Sequence, residues 1–186
     1  MKIKYLLIGL LFPAFANADL VANGNFATGD YTGWNFTPAS SGSDFRIGSG
    51  AGATPAATYA AYFGAVGGLD DTLTQTLATT AGQTYNVTFS LLLVTPTSGD
   101  LSVTFGSSAL AFLNPGSDTW TTQSFVETAT SASTLLTVAG NNGPDWNEIT
   151  NISVTPATVP LPAAAWLLAS GMLGLGLIMR RRFVAH

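Results

Sequence analysis

Tyr85, Val87, Phe89, Leu91 and Leu93 are separated by Asn86, Thr88, Ser90 and Leu92. A period of two sends every second side chain to the same side of an extended chain, so this stretch predicts a strand with one strongly apolar face. Leu101, Val103 and Phe105 repeat the pattern against Ser102 and Thr104. Faces of this kind have to be covered by another layer. Further β-type stretches fall at 33–37, 44–48, 59–64, 72–78, 109–113, 119–127, 134–139 and 148–155. They are divided by turn-forming clusters such as Thr97-Ser98-Gly99-Asp100 and Asn114-Pro115-Gly116-Ser117. No stretch between Asp19 and Thr158 sustains a period of 3.6. Roughly eight to ten short strands at this spacing predict an all-β fold, an antiparallel jelly-roll β-sandwich.

The two ends read differently. Met1-Lys2-Ile3-Lys4 is basic, Tyr5 to Phe15 is apolar, and Ala16-Asn17-Ala18 has the A-x-A form of a cleavage site. Residues 1–18 are therefore expected to be a secretory signal peptide, leaving a mature chain that starts at Asp19. At the other end, Leu161 to Met179 is 19 residues without a charge. At ~1.5 Å per residue such a helix nearly crosses the ~30 Å hydrocarbon layer. Arg180, Arg181 and Arg182 follow it and predict a cytoplasmic C-terminus. Pro160 and Pro162 mark where an extended linker gives way to the span. The expected organisation is thus 1–18 signal peptide, 19–156 sandwich and 157–186 tail with a single transmembrane helix.

Within the sandwich segment ten acidic residues face one base, Arg46, which leaves a net charge of −9. That balance opposes binding to nucleic acid and to anionic polymers. The chain has no cysteine, so packing has to supply its stability. Its one histidine, His186, lies beyond the expected span, which removes Ser-His-Asp triads, Cys-His pairs and imidazole zinc sites together. Paired carboxylates are what remains for catalysis. Asp70 and Asp71 would point to opposite faces of a strand, whereas Asp145 and Glu148 flank Trp146. We read the domain as non-enzymatic.

Sugar rings present apolar C–H faces that stack on aromatic rings, with amides and carboxylates placed to read the hydroxyls. One stretch, Gly140 to Glu148, combines these groups: Asn141, Asn142, Asp145, Trp146, Asn147 and Glu148 are the candidate glycan-binding residues. The alternative for Trp146 is that it begins the last strand and packs in the sandwich. Trp34, which follows a turn and opens a strand, is expected in the core. Tyr59 and Tyr62 fall on opposite sides of a regular strand.

Two resemblances extend this reading. The order Val159-Pro160-Leu161-Pro162-Ala163, apolar run, then Arg180-Arg181-Arg182 resembles the PEP-CTERM sorting signals of Gram-negative bacteria in their VPLPA variant. It implies that an exosortase, a membrane-embedded enzyme like a cysteine transpeptidase, acts near the proline motif after signal peptidase has removed the leader. The protein would then be held transiently in the inner membrane before reaching the cell surface or the extracellular space. Leu161 stands where the commoner signal has Glu.

Val21 to Trp34, Asp71 to Leu93 and the stretch Asn147-Glu148-Ile149-Thr150-Asn151-Ile152-Ser153-Val154 resemble galactose-binding-like jelly-roll domains of carbohydrate-binding modules. Relatives often hold a structural calcium ion between the N-terminal loop and the last strand. Ala27 and Thr150 stand here where those relatives have carboxylates, and Asp30 is the acid that would have to substitute. No cofactor is expected. The implied function is an exosortase substrate of the cell surface or biofilm matrix with a non-catalytic interaction role. The alternative is a module with a specific neutral-glycan site on extracellular polysaccharide, and a carboxylate-pair glycosidase stands third.

Overall fold

The computed structural model describes residues 18–39, 42–94, 99–113 and 118–157. The segment expected as a signal peptide apart from Ala18, the Val159 to Ala163 stretch read as a sorting motif, the expected span and the three arginines fall outside these residues. Among those described, no helix is long and apolar enough to cross a membrane. Ten strands form: β1 (Asn35–Thr37), β2 (Phe45–Ser49), β3 (Tyr59–Phe63), β4 (Asp71–Ala78), β5 (Thr84–Leu92), β6 (Asp100–Phe105), β7 (Ser108–Leu113), β8 (Thr121–Thr128), β9 (Ser133–Asn141) and β10 (Asn147–Pro156). Each overlaps a stretch that the alternation marks.

The strands make two five-stranded antiparallel sheets, ordered β1-β4-β9-β6-β7 and β2-β3-β10-β5-β8. This is a jelly-roll sandwich. Its core follows from the period of two: Leu73 and Leu77, Leu101 and Val103, Leu136 and Val138 from the first sheet meet Val87, Phe89, Ile149 and Val154 from the second. Trp34 is buried, 6% exposed, and packs on Phe26 with 6.0 Å between ring centroids.

One inward position of β4 is polar. Gln75 lies between Leu73 and Leu77 and is 7% exposed. A buried amide needs partners for both its donor and its acceptor. Gln75 finds them in the N-terminal segment: its Oε1 accepts from Ala22 N at 2.8 Å, and its Nε2 donates to Ala22 O and Gly33 O at 3.0 and 2.8 Å. The same segment runs along β10 where β3 stops. Leu20 N donates to Val154 O and Ile152 N to Gly24 O, both at 2.9 Å. Between these partners β10 carries a bulge at Thr150 to Ser153, with Asn151 at a φ of 53°.

Candidate functional site

The outward side of the second sheet holds a group of aromatic and charged side chains beside the candidate loop, and strand register assembles it. Arg46 of β2 is opposite Tyr62 of β3, Tyr62 is opposite Glu148 of β10, and Glu148 is opposite Leu92 of β5. These four residues form one cross-strand row, in which neighbouring Cβ atoms stand about 5 Å apart. Trp146 immediately precedes β10. The Arg46 guanidinium lies over its indole, 3.8 Å from the ring centroid, and 5.2 Å from the Tyr62 ring. Arg46 itself is exposed. The indole is held from another side by Gly64, where a Cβ would stand 2.5 Å from Trp146 Cδ1. Its N–H is buried without a hydrogen-bond partner.

Burial pushes the Glu148 carboxyl up to about 7, against the pull of the Tyr62 hydroxyl and the Arg46 guanidinium, while Asp145 adds to the push. The Tyr62 hydroxyl is pushed up to about 12, first by burial and then by the negative charge of Glu148. It donates to Ser49 O at 2.6 Å. Near neutrality the row therefore holds a cation, a phenol and a carboxyl partly in its protonated form. A prediction follows from the shift. The folded chain keeps the Glu148 proton to about pH 7, whereas the unfolded chain releases it near 4.5. The folded state binds more protons in that window, so the stability this group contributes is present below 4.5 and is lost as pH rises toward 7. The difference in Tm between wild type and Glu148→Gln, followed from pH 4 to 8, is expected to move in favour of the variant across the same window. A constant difference would refute the shift.

The structure divides the six candidate glycan-binding residues three ways. Asn142 and Asn147 are fully buried, and Asn142 Nδ2 donates to Asn147 Oδ1 at 3.0 Å. Asn147 Nδ2 in turn donates to the carbonyls of Asp100 and Asn141, each at 3.1 Å. The two residues lock the loop between β9 and β10, and neither is placed to meet a ligand. Asn141 turns toward the first sheet, where its Nδ2 donates to Asp70 Oδ1 at 2.5 Å and Asp100 Oδ1 at 2.8 Å. Burial and the neighbouring Asp70 raise the Asp100 carboxyl above its usual range. Asp145, Trp146 and Glu148 remain on the second sheet's side, with Asp145 Oδ1 accepting from Trp146 N at 3.1 Å. Trp146 is half-buried, between the two alternatives that the sequence leaves open. Arg46 and Tyr62 were not legible as site residues, although Arg46 is the sole cation from Asp19 to Ala157.

Farther along the same side, residues 50–58 fold over the sheet. Ser90 Oγ and Thr122 Oγ1 donate to Thr54 O at 2.7 and 2.8 Å, and Asn151 Nδ2 donates to Pro55 O at 2.6 Å. Beyond this strap lies an open cleft of about 480 Å³ bordered by Asn25, Pro55, Thr88, Thr122 and Ser153. Hydroxyls and amides line it together with the Asp19 carboxylate and the apolar Val21, Phe89 and Ile152, with no Trp or Tyr among them.

The calcium ion that the resemblance implies does not fit these residues. Ala27 offers an exposed methyl group. Thr150 is buried, and its hydroxyl donates to Tyr59 O at 2.8 Å. Asp30 Oδ1 accepts from the Thr28 hydroxyl at 2.7 Å and Thr32 N at 2.9 Å, and these bonds hold its carboxyl below the usual range.

No protein-family profile and no curated protein matches the chain. Solved structures do match its fold. The carbohydrate-binding module TmCBM61, solved in complex with β-1,4-galactotriose, superposes with a TM-score of 0.59 at 15% identity, covering 75% of this chain and 99% of that one. The CBM22-1 xylan-binding domain of Xyn10C from Paenibacillus barcinonensis gives 0.50 at 11%, over 80% and 100% of the two chains. The K3 cleaved adhesin domain of Lys-gingipain from Porphyromonas gingivalis gives 0.51 at 13%, over 75% and 98%. At these identities the likeness is one of fold. Such a scaffold hosts unrelated activities, so the chemistry has to be argued from the residues.

Proposed function

We propose that this domain is a non-catalytic module that recognises neutral polysaccharide, on a protein exported across the inner membrane, held there briefly by its tail and then displayed at the surface or in the extracellular matrix. The observation that carries the reading is the exposed Arg46 guanidinium on the face of Trp146, with Tyr62 and Glu148 in the same cross-strand row. A guanidinium offers several donors in a fixed fork, a carboxyl and a phenol accept and donate, and the indole holds the fork in place. Together they suit hydroxyl groups. The fold's neighbours among glycan-binding modules support the same class of ligand, and a domain of charge −9 disfavours acidic polymers. Retention of the wild-type domain on a neutral polysaccharide column, and none on an acidic one, is the expected result. No retention on any neutral glycan would leave a structural matrix role as the better account.

The chain's exit suits display. Ala157 N donates to Thr84 O at 2.8 Å at the far end of β10 from Trp146. Ten residues of strand, at about 3.3 Å each, separate that end from the Arg46–Trp146 group by about 30 Å. A domain held by its tail would thus turn the group away from the membrane. Tail processing is expected to need the proline motif: Pro160→Ala with Pro162→Ala should trap full-length protein in the membrane fraction. Release at the wild-type rate would make the tail an ordinary anchor or the target of another protease.

A further inference from the structure

We infer that the N-terminal loop of this domain is closed by a side-chain amide, that of Asn23, in the place where a divalent cation would close it, so the loop is independent of calcium and lies one substitution from requiring it. Between Asn23 and Thr32 the chain turns back on itself, and three of its oxygens converge on one atom. Asn23 Nδ2 donates to Thr28 Oγ1 at 2.7 Å, Asp30 O at 3.1 Å and Thr32 O at 3.0 Å. One NH₂ group with two protons thus serves three acceptors, and it does so at the centre of the loop. Inward-pointing carbonyls and hydroxyls of this kind are the ligands that hard cations take, six to eight at a time, together with carboxylates. The amide supplies the partial positive charge these oxygens need without a metal.

The rest of the loop is built onto this clasp. Asn23 O accepts from Phe26 N at 3.1 Å and from the buried Trp34 indole N–H at 3.3 Å. Its Oδ1 faces Thr28 N at 3.4 Å. Asn23 adopts a φ of 53°, a left-handed conformation that Asn and Asp reach more readily than other side chains. Asn23→Asp therefore keeps backbone and shape while exchanging the donor for a second acceptor. The carboxylate would then face Thr28 Oγ1 and the carbonyls of Asp30 and Thr32, with the Asp30 carboxylate 2.7 Å from the Thr28 hydroxyl. That is an oxygen cluster with two negative charges and water access, and it lacks only the cation.

The test compares wild type, Asn23→Asp and Asn23→Ala by thermal melting in chelator and in millimolar calcium chloride, with Trp34 fluorescence as the local signal. The wild type is expected to melt at the same temperature in both. Asn23→Asp should lose about 3 to 8 °C in chelator and recover most of it in calcium, as a ligand that binds only the folded state requires. Asn23→Ala should lose a similar amount in both, which separates loss of the clasp from creation of a site. A wild type that drops by several degrees in chelator overturns the inference. So does an Asn23→Asp variant that melts alike with and without calcium.

Discussion

Gly24→Ala should cost the domain about 3 kcal/mol or more and lower its Tm by about 10 °C, the largest loss expected from adding a single methyl group. A Cβ at this position would stand 1.9 Å from the carbonyl oxygen of Ile152 and 3.0 Å from its carbon. Both atoms are backbone, so no rotamer change relieves the overlap. The N-terminal segment would have to lift from β10, breaking the 2.9 Å bond from Ile152 N to Gly24 O. That contact lies beside the bulge where β3 stops pairing with β10, so β10 would lose its edge partner there. Separation would also loosen the Gln75 amide, whose partners are Ala22 and Gly33. Left unbonded and buried, that amide adds a cost of about 1 to 3 kcal/mol. Calorimetric melting of the purified domain decides the matter. A Tm within about 2 °C of wild type would mean that residues 20–24 are not docked on β10 in solution.

Most of the fold was legible because its signal is local. Strands such as β4, β6 and β9 alternate cleanly, with one phase pointing into the sandwich as the period of two requires, whereas β3 buries both Ala60 and Ala61. Even the polar exception could have been read. Gln75 occupies an apolar phase between Leu73 and Leu77, which marks a buried amide with structural partners, although the identity of those partners is a matter of tertiary register. The candidate site was legible only in part, for the same reason. Gly140 to Glu148 has the composition of a polar loop around an aromatic ring. Composition, however, says nothing about the direction of each side chain. Asn142 and Asn147 bond to each other in the interior, Asn141 turns to Asp70 and Asp100, and three residues stay beside the second sheet. Arg46 and Tyr62, 100 and 84 positions before Trp146 in the chain, come to it through the pairing of β2, β3 and β10. No window of sequence contains that pairing.

The Arg46–Trp146 stack turns the functional proposal into a comparison of two variants. Trp146→Ala removes a half-buried indole packed on Gly64 and under Arg46, so it should cost about 2 kcal/mol, below the ~3 to 5 kcal/mol of a fully buried aromatic. Arg46→Ala removes an exposed side chain whose stacking is worth about 0.5 to 1 kcal/mol, and the domain should melt within a few degrees of wild type. If the guanidinium fork reads sugar hydroxyls, both variants should lose retention on neutral polysaccharide by at least about tenfold, which corresponds to about 1.4 kcal/mol of binding. Arg46→Ala loses the donor itself, and Trp146→Ala loses the surface that orients it. The stability change then differs between the two while the binding change does not. A purely structural stack gives the opposite pattern: retention follows the folded fraction, falling with Trp146→Ala near its lowered Tm and staying intact with Arg46→Ala at every temperature where the domain is folded. Retention measured well below both melting temperatures separates the two patterns. Wild-type retention by Arg46→Ala would move the glycan contact away from this row and toward the hydroxyl-lined cleft beyond residues 50–58.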